Sequence, residues 1–234
     1  MPSAATPPPD RGALSGPLAG LSFIGGIGAA NALADVPYPR PGTDPSQVRQ
    51  YFTQNAGPTR LSATGQAISA ACLARFTASV ARLAGRTGRG SRALQTAAVA
   101  GGAIAAASLA ASAACTAALS GRRGREDSAA ALARRGFIAG GVIHSPAFGI
   151  LVGALGLAGL RTGELSRPVA ITALGSASAC LLAPLYLVAE PLAWFIPVGR
   201  FPGLIASGIA GAQLARGARP HRRASDILRR QGRA

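Results

Sequence analysis

The chain has 234 residues and a formal net charge of +16, yet only 14% of its residues are charged and nearly half are hydrophobic. Soluble domains carry about 25% charged residues. Every basic residue is arginine, which excludes mechanisms that need a lysine, such as a retinal or pyridoxal Schiff base or a Walker A phosphate loop.

The distribution of charge argues against a nucleic-acid partner, although an excess of arginine could neutralise phosphates. Uncharged windows run over 12–34, 93–121, 136–160 and 168–189, with the arginines gathered between them. Each window exceeds the roughly 20 residues that an α-helix needs to cross the hydrocarbon layer. The pattern predicts an all-α, polytopic transmembrane helical bundle with six spans at about 14–33, 61–83, 94–119, 137–160, 169–188 and 194–214. Tails at 1–12 and 216–234 flank this domain.

The proline-rich start, MPSAATPPPD, lacks the large apolar side chains that nucleate packing and reads as a disordered tail. In the first span Gly16 and Gly20 stand in a GxxxG spacing that lets helices approach closely. Ala32, Leu33 and Ala34 form an A-x-A site, so signal cleavage is a minority alternative here. Beyond it, Thr43, Asp44 and Pro45 supply start signals for a short helix that places Val48, Tyr51 and Phe52 on one face. That helix is expected to stop near Asn55, Gly57 and Pro58, with its aromatic face on the bilayer interface.

Arg75 in the second span is expected to snorkel toward the cluster at Arg82, Arg86, Arg89 and Arg92. The third span, mostly alanine, reads as only marginally hydrophobic and should depend on packing with its neighbours. Pro146 and Pro184 are expected to kink the fourth and fifth spans. The sixth segment contains Arg200 among Pro197, Gly199 and Pro202, which suggests a broken or re-entrant entry. The basic tail from Arg216 is expected to bind anionic lipid of the cytoplasmic leaflet.

Arginines in short loops favour both termini in the cytoplasm and placement in the cell membrane. The stretch from Arg122 to Arg135 dissents, which leaves a five-span or inverted arrangement open.

Ionisable residues within a membrane are costly and are functional candidates. His144, Glu190 and Arg200 stand out, and Gln66 and Tyr186 also fall in outer halves of spans. Together they could form an outward-facing polar pocket in which Glu190 and His144 bind or relay a proton or a cationic solute while Arg200 sets the charge balance. Set against this, Glu190 and Arg200 could simply pair at the interface, and His144 could bond a carbonyl freed by Pro146. Cys72, Cys115 and Cys180 lie in apolar stretches without metal-ligand spacing. Only His144 of the two histidines lies in a span, and no GxSxG or HExxH motif occurs. No cofactor, metal or catalysis is expected.

The segments YPRPG (Tyr38 to Gly42), QYF (Gln50 to Phe52) and IPVGRF (Ile196 to Phe201), with the mid-span His144, resemble a family of small six-span membrane proteins common in high-GC actinobacteria. That family carries no established activity. Three functional readings follow: a non-catalytic scaffold or membrane-complex component, with a membrane-protein partner or a second copy; a small-solute or proton-coupled transporter; and a soluble arginine-rich nucleic-acid binder. Small residues such as Gly149 and Gly153 would serve helix association in the first.

Overall fold

The protein was analysed as a computed structural model, which describes residues 9–39, 42–121, 126–189, 192 and 194–217. A 3-10 turn at Arg11–Leu14 leads into α1 (Ser15–Leu33), followed by the short α2 (Pro45–Gln54), α3 (Ala56–Gly85) and α4 (Ser91–Leu119). Next, α5 (Glu126–Phe137) passes through a π-helical segment, Ile138–Ile143, into α6 (His144–Thr162). Then follow α7 (Arg167–Leu182), a 3-10 turn at Ala183–Leu187, and α8 (Phe195–Ala215).

Six of these stretches are long and apolar enough to cross a membrane: Arg11–Leu33, Ala56–Gly85, Ser91–Leu119, Ser128–Thr162, Arg167–Leu187 and Phe195–Ala215. The chain is an all-α, multi-pass membrane bundle with six spans. Consecutive spans pack side by side, and α8 returns to pack on α1, so the six close into a ring. Across its middle, α6 also meets α3 and α8.

The distribution of side chains is the reverse of that in a soluble protein. Large aliphatics such as Leu21, Ile68, Ile104, Ile171, Val198 and Ile205 are exposed on the outside, while much of the interior is alanine, glycine and serine. Lipid offers no hydrophobic penalty to outward-facing leucine, so association depends on backbones approaching closely. Gly26 of α1 meets Gly65 of α3 at such a crossing. Gly101 and Gly102 of α4 likewise face Ala147 and Ile150 of α6 and Thr77 of α3. This surface argues against a soluble nucleic-acid binder. The alanine-rich third span is as apolar as the fourth and fifth, contrary to its reading in the sequence.

At one end of the bundle the polar contacts hold helix ends together. Asp10 accepts from Arg82 of α3 and caps Gly12, while its own amide donates to the Leu214 carbonyl of α8. Arg86 pairs with Glu164 at 2.7 Å, and Ser166 exchanges hydrogen bonds with Gln213. Removing α1 by signal cleavage would therefore strip one wall from the ring and one partner from Arg82. Arg75 lies exposed on the outer surface of α3, a position compatible with snorkelling.

Burial of Asp10 opposes ionisation, but the hydrogen bonds from Arg82 and Ser79 outweigh it and hold the carboxyl below its usual 3.8. A depressed carboxylate stabilises the fold above its unfolded pKa, and that contribution fades as pH falls through the folded value. Because the Arg82 side chain is half exposed, the pair should contribute under about 1 kcal/mol. Asp10→Asn is expected to lower the melting temperature slightly at pH 7, with the deficit shrinking as pH falls below 3.8 toward 3. A constant deficit across that range would show that the ionised carboxylate is not what matters.

At the opposite end, α3 starts at Ala56, directly after α2, rather than near 61. Asn55 is the reason: it is buried, its side chain donates to the Tyr51 carbonyl and accepts from the Asp35 amide, and Thr59 bonds its carbonyl. Gly57 and Pro58 fall in the first turn of α3, where a proline costs little. Val48, Tyr51 and Phe52 do share a face, but it is buried against Leu119, Ala129, Leu132 and Ala133 and does not lie on the interface. The helix that carries the fourth span begins well before 137, so α5 stands ready to cover those aromatics.

Candidate functional site

The sixth segment is a continuous helix, not a broken or re-entrant entry. Its 21 residues extend about 32 Å at 1.5 Å per residue. Gly199 and Gly203 let it press on α7 and α6, where a Cβ would meet the Cys180 amide nitrogen at 2.6 Å and the Phe148 ring at 2.7 Å. Ser176 donates to the Gly199 carbonyl. This close seat turns the neighbouring Arg200 inward.

Arg200 is only 8% exposed. Its guanidinium carbon lies 3.8 Å from the ring centroid of Phe23, near the middle of the first span. Nη1 donates to the Gly140 carbonyl at 2.8 Å, while Nε and Nη2 are buried without a partner among the described residues. Arginine keeps its proton in proteins, so the centre of the bundle holds a charge compensated by one carbonyl and one aromatic face. That position differs from an arginine pairing at the bilayer interface. Glu190, the other half of that expected pair, lies outside the described residues, as does most of the basic tail.

The carbonyl that receives Arg200 belongs to the π-helical segment. Pro146 has no N–H to give, and its ring crowds the preceding turn. The helix widens over Ile138–Ile143, a local change of register that often marks functional positions. A widened turn thus takes the place of the expected simple proline kink, and it presents a main-chain acceptor to the neighbouring helix. Gly140 tolerates no side chain here, since a Cβ would strike Ser112 of α4.

His144 follows the π segment and is buried. Its Nδ1 lies 2.9 Å from the Ala105 carbonyl at the midpoint of α4, and its ring stacks on Phe148 at 5.6 Å. It therefore lies level with the midpoint of α4 and bonds that helix rather than a carbonyl freed within its own. Arg200 lies within electrostatic range of both His144 and Cys180.

The remaining candidates do not join this centre directly. Gln66 is buried on α3 and donates to Ser62 of the same helix. Tyr186 stands edge-on to Phe137, with centroids 5.3 Å apart. Both rings line a cavity of about 630 Å³ that also touches Tyr38, Phe52, Arg134 and Ile138. Its floor, Phe137 and Ile138, leads into the π segment that anchors Arg200. Sequence reasoning missed Phe23, the Gly140 carbonyl, and the buried hydroxyls of Ser145 and Ser207, which have no partner among the described residues. The Gly140–Gly141 pair shortly before His144 and Pro146 was the available signal. No protein-family model matches the chain, and comparison with curated proteins and with solved structures yields no significant match.

Proposed function

We propose that this protein lies in the cell membrane with both termini in the cytoplasm and uses the Arg200 centre to bind and move a small solute. The observation that carries this reading is a mid-bundle guanidinium with two donors that have no partner among the described residues. A passive scaffold gains nothing from such a group, because a charge removed from water costs several kcal/mol and an apolar side chain would pack in its place. Support for the scaffold reading also weakens. Gly149 and Gly153 face Cys180 and Ala177 of α7, and Gly16 and Gly20 face Ser207 and Leu204 of α8. These residues serve the bundle's own packing.

The cavity beside Tyr186 and Phe137 supplies an entrance on the side opposite the Asp10–Arg82 clasp, and the π segment supplies an element able to change register. The segments behind the resemblance to the actinobacterial six-span family converge on the same features. Tyr38 and Phe52 line the entrance, and His144 and Arg200 belong to the centre. Membership of that family is part of the proposal.

The test uses single cysteines at Ser46, Thr87 and Ser145 in a background lacking Cys72, Cys115 and Cys180. Intact cells are treated with an impermeant anionic thiosulfonate. Ser46 should react from outside, Thr87 should not, and the fully buried Ser145 should react more slowly than Ser46. A reactive Ser46 beside an inert Ser145 would mean a sealed structural core, and a reactive Thr87 would reverse the orientation.

A further inference from the structure

We infer that the solute of the Arg200 centre is a carboxylate anion, gripped through both oxygens by the Nε and Nη2 edge of the guanidinium; the inference rests on the solute-binding reading above. Of the guanidinium nitrogens, Nη1 is occupied by Gly140, and the two left over are Nε and Nη2. These are not an arbitrary pair. They form the edge from which two parallel N–H bonds point the same way, the geometry that matches a carboxylate.

The same chain shows what that edge does when an acid is present. Arg82 donates to both oxygens of Asp10, from Nε to Oδ2 at 3.2 Å and from Nη2 to Oδ1 at 2.9 Å. At Arg200 the equivalent edge is enclosed, and none of the described acidic residues reaches it. Phe23 covers one face of the guanidinium at 3.8 Å and the Gly140 carbonyl fixes its far corner. The fork is therefore held in plane before any ligand arrives, which lowers the entropy cost of binding.

The charge balance selects the class further. One guanidinium, with no second cation bonded to the fork, is neutralised by a monoanion, whereas a dianion would leave an excess negative charge in a medium that penalises it. The ring of Phe23 over the guanidinium suits a short apolar body on the acid. Arg134, on the lining of the entrance cavity, offers a positive group where an incoming anion would first meet the protein.

The experiment measures binding of radiolabelled acetate, butyrate and benzoate to the full-length protein in lipid nanodiscs by equilibrium dialysis. Butyramide, butylamine and inorganic phosphate serve as unlabelled competitors, and radiolabelled butyramide and butylamine are dialysed in parallel. At least one acid should bind saturably, and butyramide, which has the same shape without the charge, should not displace it. Arg200→Lys keeps the charge but loses the fork, and since a hydrogen bond to a charged group contributes about 1.5–3 kcal/mol, it should weaken binding roughly ten- to hundredfold. Size-exclusion chromatography shows whether that variant is folded, and the butyrate–butyramide comparison needs no variant at all.

The inference fails if no acid binds, if butyramide competes equally, or if phosphate displaces the acid at far lower concentration. It fails equally if Glu190→Gln gains binding that wild type lacks, since the fork would then hold the chain's own carboxylate. Saturable binding of butylamine or butyramide alone, with Ser145 reactive, would overturn the carboxylate class and leave a solute centre standing. Absence of all binding together with an inert Ser145 would remove both.

Discussion

Arg200→Met is expected to melt several degrees above wild type while losing any solute binding. The wild-type centre encloses a charge with two donors that have no partner among the described residues, and each unmet buried donor costs about 1–3 kcal/mol. Offsetting this are one bond to Gly140 and the contact with Phe23; a desolvated cation–π contact contributes about 2 kcal/mol. Replacing buried ionic groups with apolar residues of similar volume stabilises other proteins by about 1–4 kcal/mol, and a charge lacking a counterion should lie toward the upper part of that range. Thermal unfolding of the detergent-solubilised variant, followed by size-exclusion chromatography of heated samples, reads the result. A clear fall in melting temperature would mean that Arg200 holds the bundle together, and would undercut its assignment as a binding group. A functional residue retained against stability is a recurring feature of binding sites.

Gly65→Val should have the opposite and larger effect, preventing accumulation of folded protein. A Cβ at Gly65 would lie 2.6 Å from the Ser22 carbonyl oxygen and 2.8 Å from Gly26 Cα. Both obstacles are backbone atoms of α1, so no side chain can turn aside, and the two helices must separate. Overpacking of a core costs about 1–3 kcal/mol when side chains can shift, and this crossing should reach or exceed the top of that range. Total stabilities are only about 5–15 kcal/mol. Gly25, one residue from Gly26, provides the control: it is exposed and nothing lies within 4 Å of its Cβ position. Gly25→Ala should therefore be neutral or stabilising by up to about 1 kcal/mol, since glycine weakens a helix interior. Equal yields of Gly65→Val and wild type after detergent extraction would refute the close crossing.

These glycines show where sequence reasoning reached its limit. Gly25, Gly26 and Gly28 of α1 are alike in the sequence, yet only Gly26 meets another helix. Which face of a glycine-rich span turns inward depends on the partner helix, because composition alone gives α1 no pronounced apolar side. The short α2 was easier to read: Asp44 and Pro45 fixed its start, and the spacing of Val48, Tyr51 and Phe52 fixed a common face. What that face would meet was not readable, because the partner, α5, lies more than seventy residues away.

The candidate site divides in the same way. His144 and Arg200 were legible as ionisable residues inside apolar runs, since the cost of burying charge applies wherever the chain folds. Their partners were not, because Phe23, Ala105 and Gly140 carry no chemical mark that distinguishes them from other phenylalanines, alanines and glycines.

By itself the sequence determined that the chain is an α-helical membrane protein with six spans, because length and apolarity are local properties of each segment. Only the tertiary structure decided that the sixth segment is an unbroken helix, that the aromatic face of α2 turns inward, and that Arg200 lies over Phe23 with no described residue filling its Nε–Nη2 fork. Those outcomes depend on which backbones can approach one another, and that is settled between helices that are distant in the chain.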